Sequence, residues 1–250
     1  MDQDAFYLIN HFWARPWLDV AMAAASSWDL WWPFLIVGGL AVLGFGGFHA
    51  RVMVLVAGIA VGVTDGIVVD SLKHIVGRPR PHEVLVGART LDLAKARPWL
   101  LTLDLAKVRP WFLAPGQPLK GDDQAIEIEV APPRFLALGR PLKERYSHPE
   151  NPPARGNSFP SGHASNNFAL ATVVMLFYRR WGWLAFVPAA LVSYSRIYVG
   201  SHWPMDVLVS CFLGAGIAFL VASGLESCWR RWGAKMLPAL HAAHPSLIKP

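Results

Sequence analysis

Five apolar stretches, each long enough to cross a hydrocarbon layer, limit the fold of this chain more than any other feature. The first covers about 31–48, from Trp31 to Phe48, and the second runs from about Val52 to Ile75. The third starts at Ser161 and ends before Arg179-Arg180, the fourth runs from Trp181 to about Tyr198, and the fifth from Pro204 to about Leu225. A bilayer core is crossed by about 17–25 mostly apolar residues in helical form. No water is available there to satisfy backbone N–H and C=O groups, so each stretch is expected to be a helix. Hydrophobic residues are 54% of the chain and charged residues 16%, a balance too apolar for an ordinary soluble domain. The expected fold class is an all-α integral membrane protein: a bundle of about five transmembrane helices, with a sixth as the alternative, and an extracytoplasmic loop insertion.

The ends of the stretches support this reading. Trp28, Trp31, Trp32, Trp181, Trp183, Trp229 and Trp232 cluster there, where an amphipathic ring anchors a helix at the interface. Arg51, Arg179-Arg180 and Arg230-Arg231 with Lys235 fall on one side, which the positive-inside rule makes cytoplasmic. The net charge of +6 does not point to nucleic acid, because the basic residues form no run with interleaved aromatics. Cys211 and Cys228 sit in or just beyond the last stretch, too far apart along one helix for a disulfide, and read as packing residues. The N-terminus carries Asp2 and Asp4 where a cleavable signal would carry basic residues.

The expected organisation has four parts. Residues 1–28 form a kinked pair of helices in the outer interface; the alternative of a sixth span would place Arg15 at mid-membrane, at a real insertion cost. Residues 29–81 and 158–227 form the membrane core, and 228–250 a cytoplasmic tail. Residues 82–157 form an extracytoplasmic loop, rich in proline and charge. The loop holds a twelve-residue repeat, in which Leu91-Asp92-Leu93-Ala94-Lys95-Ala96-Arg97-Pro98-Trp99 recurs from Leu103 to Trp111. Two copies are too few for a solenoid, so the repeat reads as two short strands or turns. Ser147 to Asn157 is expected to be irregular.

Three short segments carry the chemistry, and all fall on the side opposite the cytoplasmic arginines. Pro160-Ser161-Gly162-His163 opens an apolar stretch. Ser161 suits a helix N-cap, the free N–H groups beyond it suit an anion, and Gly162 lets a phosphoryl group approach. His163 sits in the first turn. Taken alone, this is equally a plain helix cap with an incidental histidine. In the third segment, from Ser195-Arg196 through His202 to Asp206, Pro204 suits a first helical turn, placing His202 at a helix entrance, and the remaining segment runs from Lys73 to Pro81. Asp206 is four residues on and shares a face with His202 if helical geometry extends back that far. A carboxylate on one ring nitrogen would leave the other free to attack. Lys73, Arg80 and Arg196 add the cations that phosphoryl transfer requires, although cations at helix ends also snorkel toward headgroups. Arg78 fits either description. Asp65 and Asp70 lie in the second stretch, and Asp70, three residues before Lys73, suits either orienting that lysine or competing for it.

These residues resemble the type 2 phosphatidic acid phosphatase superfamily, whose signature is Lys-x6-Arg-Pro, Pro-Ser-Gly-His and Ser-Arg-x5-His-x3-Asp. All eleven fixed positions are present in order, from Lys73 to Asp206. The resemblance covers roughly 50–225 without the loop, and the first 28 residues look like the short leader of bacterial members, among them undecaprenyl-diphosphate phosphatases. It implies His202 as nucleophile through a phosphohistidine, supported by Asp206, and His163 as acid and then base. It implies that Lys73, Arg80, Ser161, Gly162 and Arg196 hold phosphate oxygens, with no metal or other cofactor. The implied partners are the bilayer and a lipid phosphate: undecaprenyl diphosphate first, phosphatidylglycerol phosphate or phosphatidate second. The implied location is the inner (plasma) membrane, with the site outside. A vanadate-dependent haloperoxidase would carry a similar site, but those proteins are largely soluble. A non-enzymatic scaffold or transporter would not need two histidines beside three cations. Oligomeric state is left open.

Overall fold

A computed structural model describes residues 1–93, 125–130 and 142–248, with backbone alone for 125–130. It divides into two compact units: Met1–Pro33, Pro79–Gly156 and Ser195–Pro204 form the first, and Phe34–Arg78, Asn157–Tyr194 and Met205–Pro250 the second.

The first unit begins with helix α1 (Asp2–Tyr7), which runs into a wide π turn at Leu8–Phe12. The chain breaks at Arg15, which is extended, and Pro16 opens α2 (Pro16–Ser26). Proline suits that first helical position because its missing N–H is not needed there. The kinked helix pair expected over 1–28 is thus two short helices. After the short helix α6 (Pro81–Val84) come strands β1 (Arg89–Leu93), β2 (Ala125–Val130) and β3 (Leu142–Ser147). They form an antiparallel sheet in the order β1-β3-β2. Alternation along the strands turns Arg89 and Leu91 of β1, with Leu142 of β3, toward the interior, and Thr90, Asp92 and Arg145 to the other face. Cross-strand pairing sets Thr90 opposite Arg145 and Leu91 opposite Glu144. The helical expectation therefore gains a sheet inside residues 82–157. β1 takes in Leu91 to Leu93, the start of the repeat; the rest of the repeat lies outside the described residues. Residues 148–157 contain no helix or strand.

The core of the second unit lies where three helices meet: α4 (Phe48–Val63), α7 (Gly162–Phe177) and α9 (Pro204–Met236). Val56, Ala57 and Ala60 pack with Ala169, Val173 and Phe177, and with Ala218 and Ala222. Small residues at such crossings let backbones approach, the main source of helix association where lipid is the solvent. Gly214 is the tightest case: a Cβ there would lie 2.0 Å from Ser165 O. Among the described residues, three helical runs are long and apolar enough to cross a membrane: Trp28–Phe45, Phe48–Val84 and Pro204–Met236. The first of these, α3, buries no side chain.

Three details differ from the sequence reading. The second stretch is not a uniform helix: between α4 and α5 (Asp70–Val76) a π turn spans Thr64–Val69. Such wide turns shift the phase of a helix face and recur near functional sites. The fifth stretch continues past Leu225 to Met236, so Cys211 and Cys228 share one helix, about 25 Å apart by its rise, and both are free thiols. The tail then folds back through α10 (Pro238–Ala243), with the Trp229 indole donating to His244 O at 2.8 Å and Glu226 accepting from the Leu247 N–H at 2.8 Å.

Candidate active site

Lys73 lies in the last turn of α5 in the second unit. That helix stops at Gly77, whose left-handed backbone (φ 59) lets its N–H return to Lys73 O at 3.0 Å. Residues 77–80 belong to no helix or strand. Arg80 then opens α6 in the first unit, its backbone N–H donating to Glu83 Oε2 at 2.7 Å. The carboxylate three residues ahead thereby caps the helix that follows Arg80.

Ser161 stands at the N-cap of α7, with Gly162 and His163 in the first turn, as expected. Its hydroxyl does not cap, however: Ser161 Oγ is buried with no hydrogen-bond partner among the described residues. Its backbone N–H instead donates to Ser210 Oγ at 2.8 Å, and Ser210 Oγ donates to Asp206 O at 2.5 Å. One serine on α9 therefore ties the Pro-Ser-Gly-His turn to the start of the helix that bears Asp206. The room left by the missing Cβ of Gly162 faces Asp65, whose Oδ1 would lie 3.1 Å from a Cβ there. A side chain at this point would require the Asp65 carboxylate to move by a few tenths of an ångström.

Asp206 is buried, and both carboxylate oxygens are engaged within the second unit. Arg78 Nη1 donates to Oδ1 at 2.5 Å and Ser158 Oγ to Oδ2 at 2.6 Å. The carboxylate thus has a counter-charge and a second donor, which a buried charge requires. Neither bond to Asp206 is expected from the sequence. Arg78 was undecided between lipid and ligand, and Ser158 lies in a stretch with no periodicity to read.

Arg196 and His202 belong to the first unit. Tyr198 ends α8 (Phe186–Tyr198), and the chain turns back so that the N–H groups of Ser201 and His202 donate to Arg196 O at 3.0 and 3.2 Å. Gly200 makes this turn with φ 77, and a Cβ there would lie 2.2 Å from Arg89 O. The Trp203 indole donates to Pro79 O at 2.9 Å. His202 is buried at the entrance to α9, which begins only at Pro204, so the condition for a helical face shared by His202 and Asp206 is not met. The proline biases Trp203 away from helix. The Arg196 side chain is held from α2: Nη1 donates to Ser26 Oγ, while Nε is buried without a hydrogen-bond partner among the described residues. Arg80 and Arg196 line one cavity of about 450 Å³.

A second polar cluster braces the first unit. Buried Arg89 donates to Asp19 Oδ2 at 2.5 Å and to Glu144 Oε1, and Tyr198 donates to Asp19 Oδ1 at 2.5 Å. Asn10 accepts from the Arg89 N–H at 2.9 Å and donates to Arg89 O and Tyr198 O, each at 2.8 Å. The network joins α2, β1, β3 and the end of α8 behind the Arg196–His202 turn. Although burial alone would lower it, the two carboxylates hold the Arg89 pKa above its ordinary value. Among the described residues, no group of three or more His, Cys, Asp or Glu side chains is placed to hold a metal ion.

Comparison with known proteins assigns the family. The model described as the PAP2 superfamily matches residues 49–230, and the chain belongs to that superfamily. It is similar to an undecaprenyl-diphosphatase of Sulfolobus acidocaldarius, 48% identical over 64 residues, which are 25% of this chain and 31% of that one. It is also similar to the undecaprenyl-diphosphatase BcrC of Bacillus subtilis, 36% identical over 81 residues (32% and 42%). A lipid A 4'-phosphatase of Bacteroides thetaiotaomicron is 39% identical over 105 residues (36% and 47%). The chain thus spans 31% to 47% of the length of these relatives. The crystal structure of Aquifex aeolicus LpxE aligns with 87% of this chain and 92% of its own, at 22% identity and a TM-score of 0.46.

Proposed function

We propose that the chain is a membrane phosphatase that hydrolyses a lipid phosphate or diphosphate, with undecaprenyl diphosphate as first substrate. One observation carries the reading: all eleven positions of the three-part signature lie within the matched segment 49–230. In this reading Lys73, Arg80 and Arg196, with the backbone at Ser161 and Gly162, neutralise the phosphoryl oxygens, which is most of what phosphoryl transfer asks of a protein. An imidazole nitrogen of His202 attacks phosphorus, the bond to the leaving oxygen breaks, and His163 gives that oxygen a proton. His163 then takes a proton from water, which attacks the phosphohistidine and releases inorganic phosphate. Asp206 supports the charge that develops on His202. The relatives named for undecaprenyl diphosphate favour that lipid, and the lipid A 4'-phosphatase favours a phosphorylated glycolipid as second reading. Phosphatidylglycerol phosphate and phosphatidate complete the panel.

We further place the three segments outside the plasma membrane, on five spans, with 82–157 as the outer loop and 228–250 inside. Release of phosphate by the purified protein in detergent, with EDTA present, from each lipid of the panel tests the activity. No release from any of them would refute it. Single cysteines placed within 85–93 or 142–150 should react with an impermeant thiol reagent in intact cells, and one beside Arg180 should not. The reverse pattern would refute the orientation.

A further inference from the structure

We infer that the cavity of the first unit is a subsite for a second phosphoryl group on the substrate, with Arg145 as its principal ligand. This rests on the phosphatase reading, because the cavity begins at Arg80 and Arg196. Its volume of about 450 Å³ lies in the usual range for sites that enclose an organic ligand. Beyond the two signature arginines, Arg145, His82 and His148 line it, against one carboxylate among the described residues, Asp92. Three guanidinium groups offer more donors than one phosphoryl group can accept, even with Arg196 Nη1 engaged by Ser26. A cleft lined by one sign of charge also concentrates ligands of the other sign.

His82, Arg145 and Arg196 sit on regular elements, and His148 follows directly on β3. Arg145 is central on β3, paired with Thr90 on one side and Glu127 on the other, and on the face opposite buried Leu91. A side chain on a paired strand is held more closely than one on a loop. His82 Nδ1 lies 3.2 Å from Gly200 O, and since a carbonyl only accepts, that nitrogen carries the proton. Arg196 is anchored by Ser26 at Nη1, and its buried Nε lacks a partner among the described residues, as a donor kept for an incoming acceptor would. Arg145 and His148 come from the loop insertion, so this insertion supplies recognition that the signature does not contain.

Binding can be tested separately from turnover. Titration calorimetry on the purified full chain in detergent should show inorganic pyrophosphate binding about tenfold more tightly than orthophosphate, the gain from one charge-assisted hydrogen bond. Arg145→Gln should bring the two ligands close to parity, with Arg145→Lys between. Equal affinities in the wild type, or the same weakening of both ligands by Arg145→Gln, would overturn the subsite. Kinetics then identifies the source of the second group. The ratio of kcat/KM to that of a prenyl monophosphate should fall in Arg145→Gln, mainly through KM, for a prenyl diphosphate or for a disaccharide lipid bisphosphate. A fall in neither ratio would also overturn the proposal. A preserved pyrophosphate preference in a protein that hydrolyses no lipid phosphate would keep the subsite and refute the phosphatase reading.

Discussion

Arg78 and Asp206 form an ion pair at 2.5 Å, with the carboxylate buried and the guanidinium one-third exposed. The pair gives Arg78 a structural reason to stand between the signature residues Lys73 and Arg80. If Asp206 supports His202, then Arg78 acts through it as a positioning residue. Arg78→Gln should lower kcat by about 10- to 100-fold with little change in KM, the scale of loss when a reacting group is slightly misplaced. Arg78→Lys should recover part of the loss. A KM effect with kcat unchanged would instead place Arg78 on the substrate.

Ser26 holds Arg196 by its hydroxyl, a link across 170 positions of sequence. Arg196→Lys keeps the charge and loses the planar fork, so turnover should fall substantially with the fold intact. Ser26→Ala should weaken turnover less, by about threefold to tenfold, the net worth of one ordinary hydrogen bond. Arg51→Lys should be close to neutral, because Arg51 Nη2 bonds only to Gly44 O at 3.1 Å among the contacts described for it. Equal losses at 196 and 51 would reduce Arg196 to an interfacial anchor.

Arg89 is the cation of a buried triad, so removing it strands two carboxylates. Arg89→Met should destabilise the first unit by about 3–5 kcal/mol, the usual cost of breaking a buried pair from one side. Thermal denaturation in detergent would show this as a lower Tm. A Tm like that of the wild type would mean that Asp19 and Glu144 find other partners.

Three helical runs of membrane-crossing length, the signature and the positions of Ser161, Gly162 and His163 at a helix entrance are legible because they rest on hydropathy and local capping. The supports of the site are not. Arg89 reaches Asp19 across 70 positions and Ser158 reaches Asp206 across 48, and no local pattern marks such partners. Ser210 was closer to legible: it is four residues after Asp206 on one helix, the spacing at which a serine hydroxyl returns to a carbonyl. The sheet was half legible, since Arg89–Leu93 alternates but its partner β3 is separated from it by about fifty residues rich in charge. His202 stands at a helix entrance as its spacing to Pro204 implies, but the helix does not extend back far enough to give it a shared face with Asp206.

His11 lines a small cavity with Arg15, Asp19, Arg89, Glu144 and Tyr146. Its pKa is lowered from 6.5, first by burial and then by the Arg89 charge, with Glu144 opposing. The unfolded chain therefore binds the proton more readily. Stability is fully present above about pH 6.5 and is lost as pH falls toward the depressed folded value. Between pH 7 and 5 the Tm should drop in the wild type and drop less in His11→Gln. Identical slopes in the two proteins would assign the pH dependence to the carboxylates.

The two histidines should be separable by leaving group. If His202 attacks phosphorus, His202→Ala abolishes both phosphate release and any trapped phosphoenzyme. His163→Ala removes only a proton donor, which typically contributes about 10²–10⁴-fold. That loss should be greatest for a simple alkyl phosphate, whose leaving oxygen needs a proton. It should be least for a diphosphate or an aryl phosphate, whose leaving group departs as a stable anion. Rapid quench with a labelled diphosphate should place acid-labile phosphate on His202 in both the wild type and His163→Ala, accumulating in the variant because His163 no longer activates water. Label on His163 would reverse the two roles, and full activity in both variants would remove the hydrolase reading.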